Sequence, residues 1–198
     1  MTDPRPSPDW RPLALSLTVL IAAYAVVYRL VPFDTRGFLL WPFGAFALYA
    51  GARLTARAAF PMTLGVIAFT DLILYAGNAV PPNYVLYPLL AVSLLIGRGL
   101  LARSESAWRI AAGCVSSYFL FFLVSNAAAW LEGARGYYEP HTFATLMQAY
   151  LEGLEFLRMQ PGQLDFGLIL GFGLFGLHAA LAKAYFPAER VVPREAAV

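Results

Sequence analysis

One cysteine, two histidines and a single lysine in 198 residues leave little from which several kinds of chemistry could be built. Cys114 stands alone in an apolar run, so neither a disulfide framework nor a thiolate metal site is available. His141 falls in a loop, and His178 has no second His, Cys or carboxylate at ligand spacing, so no metal site is expected. No Gly-x-x-x-x-Gly-Lys-[Ser/Thr] occurs, and any ATP energy must therefore come from another chain. Charge is scarce as well: 13% of the residues, where a soluble domain carries about 25%. The net charge is only +2, and the basic residues are spread through the segments between apolar runs, which argues against a nucleic-acid partner.

What the chain has instead is 60% hydrophobic residues and a mean hydropathy of +0.62, the composition of a membrane protein. Crossing about 30 Å of hydrocarbon as a helix takes roughly 20 residues. Breaks at Pro, Gly and charge clusters leave six candidate spans, near 12–31, 37–54, 58–77, 83–101, 107–131 and 163–186. The expectation is an all-α integral membrane protein with one six-span domain over 12–186, between short tails at 1–11 and 187–198. Arg5 and Arg11 followed by Ala23-Tyr24-Ala25 resemble a secretory signal. The apolar run continues through Val31, though, longer than the roughly 7–15 residues of a cleaved segment, so it reads as an uncleaved span.

Ten of the fourteen basic residues fall on one side of these spans; Arg29, Arg36, Arg135 and Arg158 fall on the other. The bias places both termini in the cytoplasm, and thirteen arginines to one lysine hint at a GC-rich bacterial genome; together they suggest a bacterial inner membrane. Between the last two spans, Phe143, Leu146, Met147, Tyr150, Leu151, Leu154 and Leu157 keep helical spacing opposite Thr145, Gln148, Glu152 and Glu155. That is an amphipathic helix over about 143–159 on the outer side, lying on the membrane surface or partly covering an outward cavity.

Polar groups gather toward the outer ends. In "GVIAFTDLILYAGN" the carboxylate Asp71 sits about two thirds of the way out, with Tyr75 and Asn78 following at i+4 and i+7 and Thr70 beside them. In "FLVSNAAAWLEG" Ser125 and Asn126 reach a comparable depth, with Trp130 one turn on and Glu132 at the rim. An uncompensated carboxylate deep in a bilayer costs at least about 2.5–3.5 kcal/mol, so Asp71 must face a wet cavity, a cation or both. Arg29 is nearest by depth, with Asp34, Arg36, Asn83 and Tyr84 at the same ends. Asp165 suits the first turn of the last helix, where its charge meets the positive dipole end. Trp130, Tyr137 and Tyr138 suit an aromatic belt. Small residues recur at helical spacing in Ala14, Thr18 and Ala22 and in Gly44, Ala47 and Gly51. Such stripes let helices approach closely, and the first could alternatively receive a partner's helix.

The segments "FGAFALYAGA" (43–52), "FTDLILY" (69–75), "FLVSNAAAWLEG" (122–133) and "AYLEGLEFLRMQPGQLDFGLILGFGLFG" (149–176) together resemble an uncharacterised bacterial six-span family labelled as transport proteins. Its arrangement is similar to the substrate-binding S components of energy-coupling factor vitamin transporters. The resemblance runs from about Tyr28 to Gly176. It implies an S-component-like bundle with a small-molecule pocket open to the outside near Asp71 and Asn126, and a transmembrane coupling subunit driven by ATPases. The family's Asn-Phe segment before the second span is replaced here by "FDTRGFLLWPFGAF", and its Thr-Asn pair by Ser125-Asn126.

The leading expectation is a non-enzymatic subunit, without cofactor, that binds and translocates a small polar or zwitterionic solute. Asp71, Tyr75, Asn78, Asn126 and Trp130 would line its cavity, Arg29 or Arg36 would neutralise carboxylates, and the 143–159 helix would close over it. An intramembrane enzyme using carboxylates is the contrasting reading, but no Ser or Cys has a histidine at comparable depth to act as its base. A non-catalytic assembly or lipid-organising protein is the third, favoured if Asp71 is fully paired in a bundle without a cavity.

Overall fold

A computed structural model describes residues 10–32, 41–102, 104, 106–133, 138–159 and 161–185, with side chains for all of these except 10, 11, 156–159 and 161–168. Among the described residues every regular element is a helix: α1 Trp10–Leu30, α2 Phe43–Arg53, α3 Ala56–Asn78, α4 Leu86–Ile96, α5 Ala107–Leu131, α6 Phe143–Met159 and α7 Pro161–Tyr185. A π-helical turn, Gly97–Leu101, continues α4.

Among the described residues, three stretches, Pro12–Leu30, Ala56–Asn78 and Ala107–Leu131, are long and apolar enough to cross a bilayer; Leu86–Leu101 is a shorter apolar helix, and Ile169–Tyr185, the part of α7 whose side chains are described, is apolar as well. Large apolar side chains stand outward on the long helices, among them Leu20, Leu72 and Phe119. Such an exterior has no reason to form against water and suits acyl chains, which mark the chain as a membrane protein.

The expected second span over 37–54 takes a different form. The helix there begins only at Phe43 and has 11 residues, a rise of about 16 Å or half the hydrocarbon thickness. Nearly all of it is buried, as befits a helix apolar on every side. It touches α1, α3, α4, the π turn, α5 and α7, and the other helices are arranged around it. Extended backbone at Leu54 and Thr55 stops α2, and the Thr55 carbonyl then accepts the Ala59 amide at 2.8 Å to start α3.

Glycine decides how closely α2 and α4 cross. A Cβ at Gly51 would stand 2.8 Å from the Leu94 carbonyl carbon, and one at Gly97 would stand 2.8 Å from that of Leu48. Each helix thus lays bare backbone against the other at the position where the partner has a glycine. The α1 stripe is likewise internal: Ala14, Thr18 and Ala22 are buried within this chain, and the Thr18 hydroxyl donates to the Ala14 carbonyl at 2.7 Å. A second copy or partner helix has no access to that stripe.

Candidate functional site

Asp71 lies at the edge of the buried arc of α3, whose centre is Thr63, Ile67 and Thr70. Arg29, in the last turn of α1, donates through Nη2 to Asp71 Oδ1, and the Tyr87 hydroxyl of α4 donates to Oδ2 at 2.7 Å. Both carboxylate oxygens are engaged, and the Arg29 and Asp71 side chains are only 11% and 5% exposed. The acid thus has the cation that its apolar setting demands. It also ties three helices together. Tyr87 carries its own signal in the sequence: a phenol in an apolar helix needs a partner for its hydroxyl.

Beside this triad, at the same end of the bundle, opens a cavity of about 650 Å³. Tyr28 and Arg29 of α1, Trp41 and Phe43 at the start of α2, the segment 80–85, and Phe121, Ser125 and Glu132 of α5 and its end form its walls. The volume lies within the roughly 300–1,000 Å³ of small-molecule sites, and its lining of aromatic and aliphatic groups with a few polar ones matches their usual make-up. The 80–85 wall follows from how α3 stops: Ala79 adopts a left-handed conformation, φ 52°, and Pro81-Pro82 cannot resume the helix. Arg29 belongs to the cavity wall, whereas Asp71 stands behind it and holds it.

The remaining expected site residues are placed differently from one another. Tyr75 is 60% exposed and Asn78 is exposed too, and neither lines the cavity. Four residues along a helix turn about 400°, so Tyr75 sits about 40° beyond Asp71, past the edge of the buried arc. Of the Ser125-Asn126 pair it is Ser125 that reaches the cavity. The Asn126 amide donates to the Phe122 carbonyl at 2.7 Å, and the side chain packs on Gly153 of α6, where a Cβ would come within 2.7 Å of its Cγ. Trp130 also faces α6: its indole N–H donates to Thr145 Oγ1 at 3.0 Å, and its ring meets His141 edge-on. Arg36 and Asp34 lie outside the described residues, as does the side chain of Asp165. His178, buried at the far end of the bundle, bonds through Nδ1 to the Tyr49 hydroxyl at 2.6 Å.

Helix α6 occupies the expected residues, and none of its described side chains is among the cavity walls. It runs back along the end of α5, with Thr145 at Trp130, Gly153 at Asn126, and the Tyr150 hydroxyl on the Leu123 carbonyl at 3.2 Å. Three faces result: Thr145, Tyr150 and Gly153 against α5, an exposed stripe of Phe143, Met147, Leu151 and Leu154, and a polar edge. Tyr138 is buried, not a belt residue, and its hydroxyl donates to Glu152 at 2.6 Å, while the Gln148 amide donates to the same carboxylate at 2.8 Å.

These two donors, Tyr138 first, hold the Glu152 carboxyl below the usual glutamate range. The same bond, with burial second, pushes the Tyr138 phenol up to about 12. A depressed carboxylate stabilises the fold above its unfolded pKa, and that contribution is lost as pH falls through the folded value. Acidification below the ordinary glutamate range is therefore expected to loosen α6. Amide exchange over 143–155, corrected for intrinsic rates, should rise relative to α2 as pH falls, and Glu152→Gln should flatten that dependence. An equal pH response in the variant would show that the tie does not govern α6.

The architecture and the site together define a helical membrane protein with a buried arginine–aspartate–tyrosine triad supporting one wall of an end cavity. The chain belongs to a family of unknown function, DUF6580, whose model matches residues 9–189. No curated protein matches it, and no solved structure matches it.

Proposed function

We propose that this protein is the solute-binding membrane subunit of an uptake system for a small polar or zwitterionic solute. The reading that accompanies this is a bacterial inner-membrane protein with six spans, both termini cytoplasmic and the Arg29 end outermost. α2 would count there as a span only together with the segment before it. The observation that carries the proposal is the 650 Å³ cavity with a guanidinium on its wall, prepaired and held in place from behind by Asp71 and Tyr87. A cation preorganised in this way can accept an anionic group without losing its own orientation. Glu132 on another wall offers the opposite charge, and Trp41, Phe43 and Phe121 offer flat apolar surface. The resemblance to S components of energy-coupling factor transporters supports the same reading, and with it a transmembrane coupling subunit with ATPases as partner. The reading is non-enzymatic.

Trp41 is a built-in reporter because it forms part of the wall. Purified protein titrated with amino acids, carboxylates and vitamin-like zwitterions is expected to show saturable quenching by one class, with Trp41→Phe removing the signal. The double variant Arg29→Gln/Asp71→Asn keeps a neutral hydrogen-bonding pair yet deletes the cavity's cation, and should weaken that binding at least about tenfold, or about 1.4 kcal/mol. Full pairing of Asp71 also suits the assembly-protein reading. A panel without any responder, or a responder indifferent to the double variant, would favour that reading instead.

A further inference from the structure

Below the end cavity lies a second, smaller space of about 30 Å³, among α2, α4 and α5. Trp41, Phe43, Leu86, Leu89 and Phe121 border both spaces, so the same side chains are the floor of one and the roof of the other. The Trp41 ring lies 5.4 Å from Phe121 and 5.1 Å from Phe43, centroid to centroid. Edge-on and tilted ring contacts of this kind close the space between the two compartments with side chains alone, with no backbone across it.

The inner space is not purely apolar. Ser93 of α4 and Ser117 of α5 lie on its wall, both buried, with their hydroxyl oxygens 2.7 Å apart. Two hydroxyls bring two donors, and their mutual bond uses one. A buried donor seeks an acceptor, and the space is large enough for one or two waters at about 10–15 Å³ each.

We infer that this chamber is an inner subsite of the end cavity, in which the Ser93–Ser117 pair receives an uncharged hydrogen-bond acceptor, a carbonyl or hydroxyl oxygen of the solute, with water in its place otherwise. Trp41 and Phe121 form the constriction between the two compartments. The inference rests on the outer cavity being a binding site, but the passage itself is testable without any solute.

Cys114, the chain's single cysteine, is buried on the wall of this chamber and serves as the reporter with the Ser93–Ser117 pair intact. Its labelling by the anionic reagent 2-sulfonatoethyl methanethiosulfonate, followed by intact mass, is expected to be slow. Adding Trp41→Ala should accelerate it at least tenfold, and Phe121→Leu should do so by a smaller factor. Rates unchanged in both variants, with thermal unfolding confirming that at least one is folded, would overturn the passage while leaving solute quenching at Trp41 untouched. In the opened variant, acetamide, a small uncharged acceptor, should slow labelling severalfold, and tetramethylammonium chloride at equal concentration should not. Equal effects of the two would overturn the acceptor assignment.

Discussion

Asp71→Ala is expected to lower the stability of the purified protein by about 3 kcal/mol, the low end of what removing one partner of a buried ion pair costs. The loss has two parts. Arg29, with a side chain only 11% exposed, would keep its charge without the carboxylate that balances it, and the Tyr87 hydroxyl would lose its acceptor. The low end applies because a detergent-unfolded chain finds other partners for its polar groups, which moderates such penalties. Because the triad joins α1, α3 and α4, the damage should spread along all three and show as lower protection from exchange at their Arg29 ends. Asp71→Asn should cost less, since an amide can still bond to Tyr87. The double variant Arg29→Met/Asp71→Leu, which removes both charges, should recover most of the loss. The signature is therefore a large positive coupling in a double-mutant cycle read by thermal or denaturant unfolding. A single variant as stable as the parent would mean that the carboxylate is not the fixed point of these helices.

Gly51→Ala should be almost as damaging despite adding one methyl group. A side chain confronted by another side chain can change rotamer, but the new Cβ would meet the Leu94 backbone, and the only relief is for α2 and α4 to separate. About 1–3 kcal/mol is expected, and the same for Gly97→Ala against Leu48. The two should not add. Once the helices have moved apart for one methyl, the second enters space already opened, so the double variant should lose clearly less than the sum. Gly65→Ala and Gly99→Ala are the controls: a Cβ at either position meets nothing within 4 Å, and stability should stay level or rise slightly. Thermal unfolding of the five variants in one detergent decides the matter, and equal effects at Gly51 and Gly65 would show that the crossing is not set by backbone contact.

The amphipathic helix at 143–159 was legible to the residue because its signal, spacing along one segment, is local. The cation opposite Asp71 was legible because a carboxylate in an apolar helix leaves few alternatives, and depth alone pointed to Arg29. Tyr75 and Asn78 were grouped with Asp71 by spacing. Yet spacing gives only angles within α3, and how α3 is rotated against α1 and α4 is what leaves Tyr75 outside. Asn126 and Trp130 face α6 for the same reason: α5 presents one side to the cavity and another to α6, and its own sequence does not say which is which. Trp41, Tyr87 and the Ser93–Ser117 pair come from separate segments that only packing brings together.

By itself, then, the order of residues determined that this chain is helical, that its long apolar segments belong in a bilayer, and that its one deep carboxylate needs a positive partner. Those are properties of single segments and their solvent. The tertiary structure alone decided that a half-length α2 is the centre, that Arg29 and not Asp71 faces the cavity, and that the described side chains of α6 dock on α5 rather than on that cavity. Each of these depends on the rotation and approach of one helix against another, which the summed contacts of many side chains set and no single segment encodes.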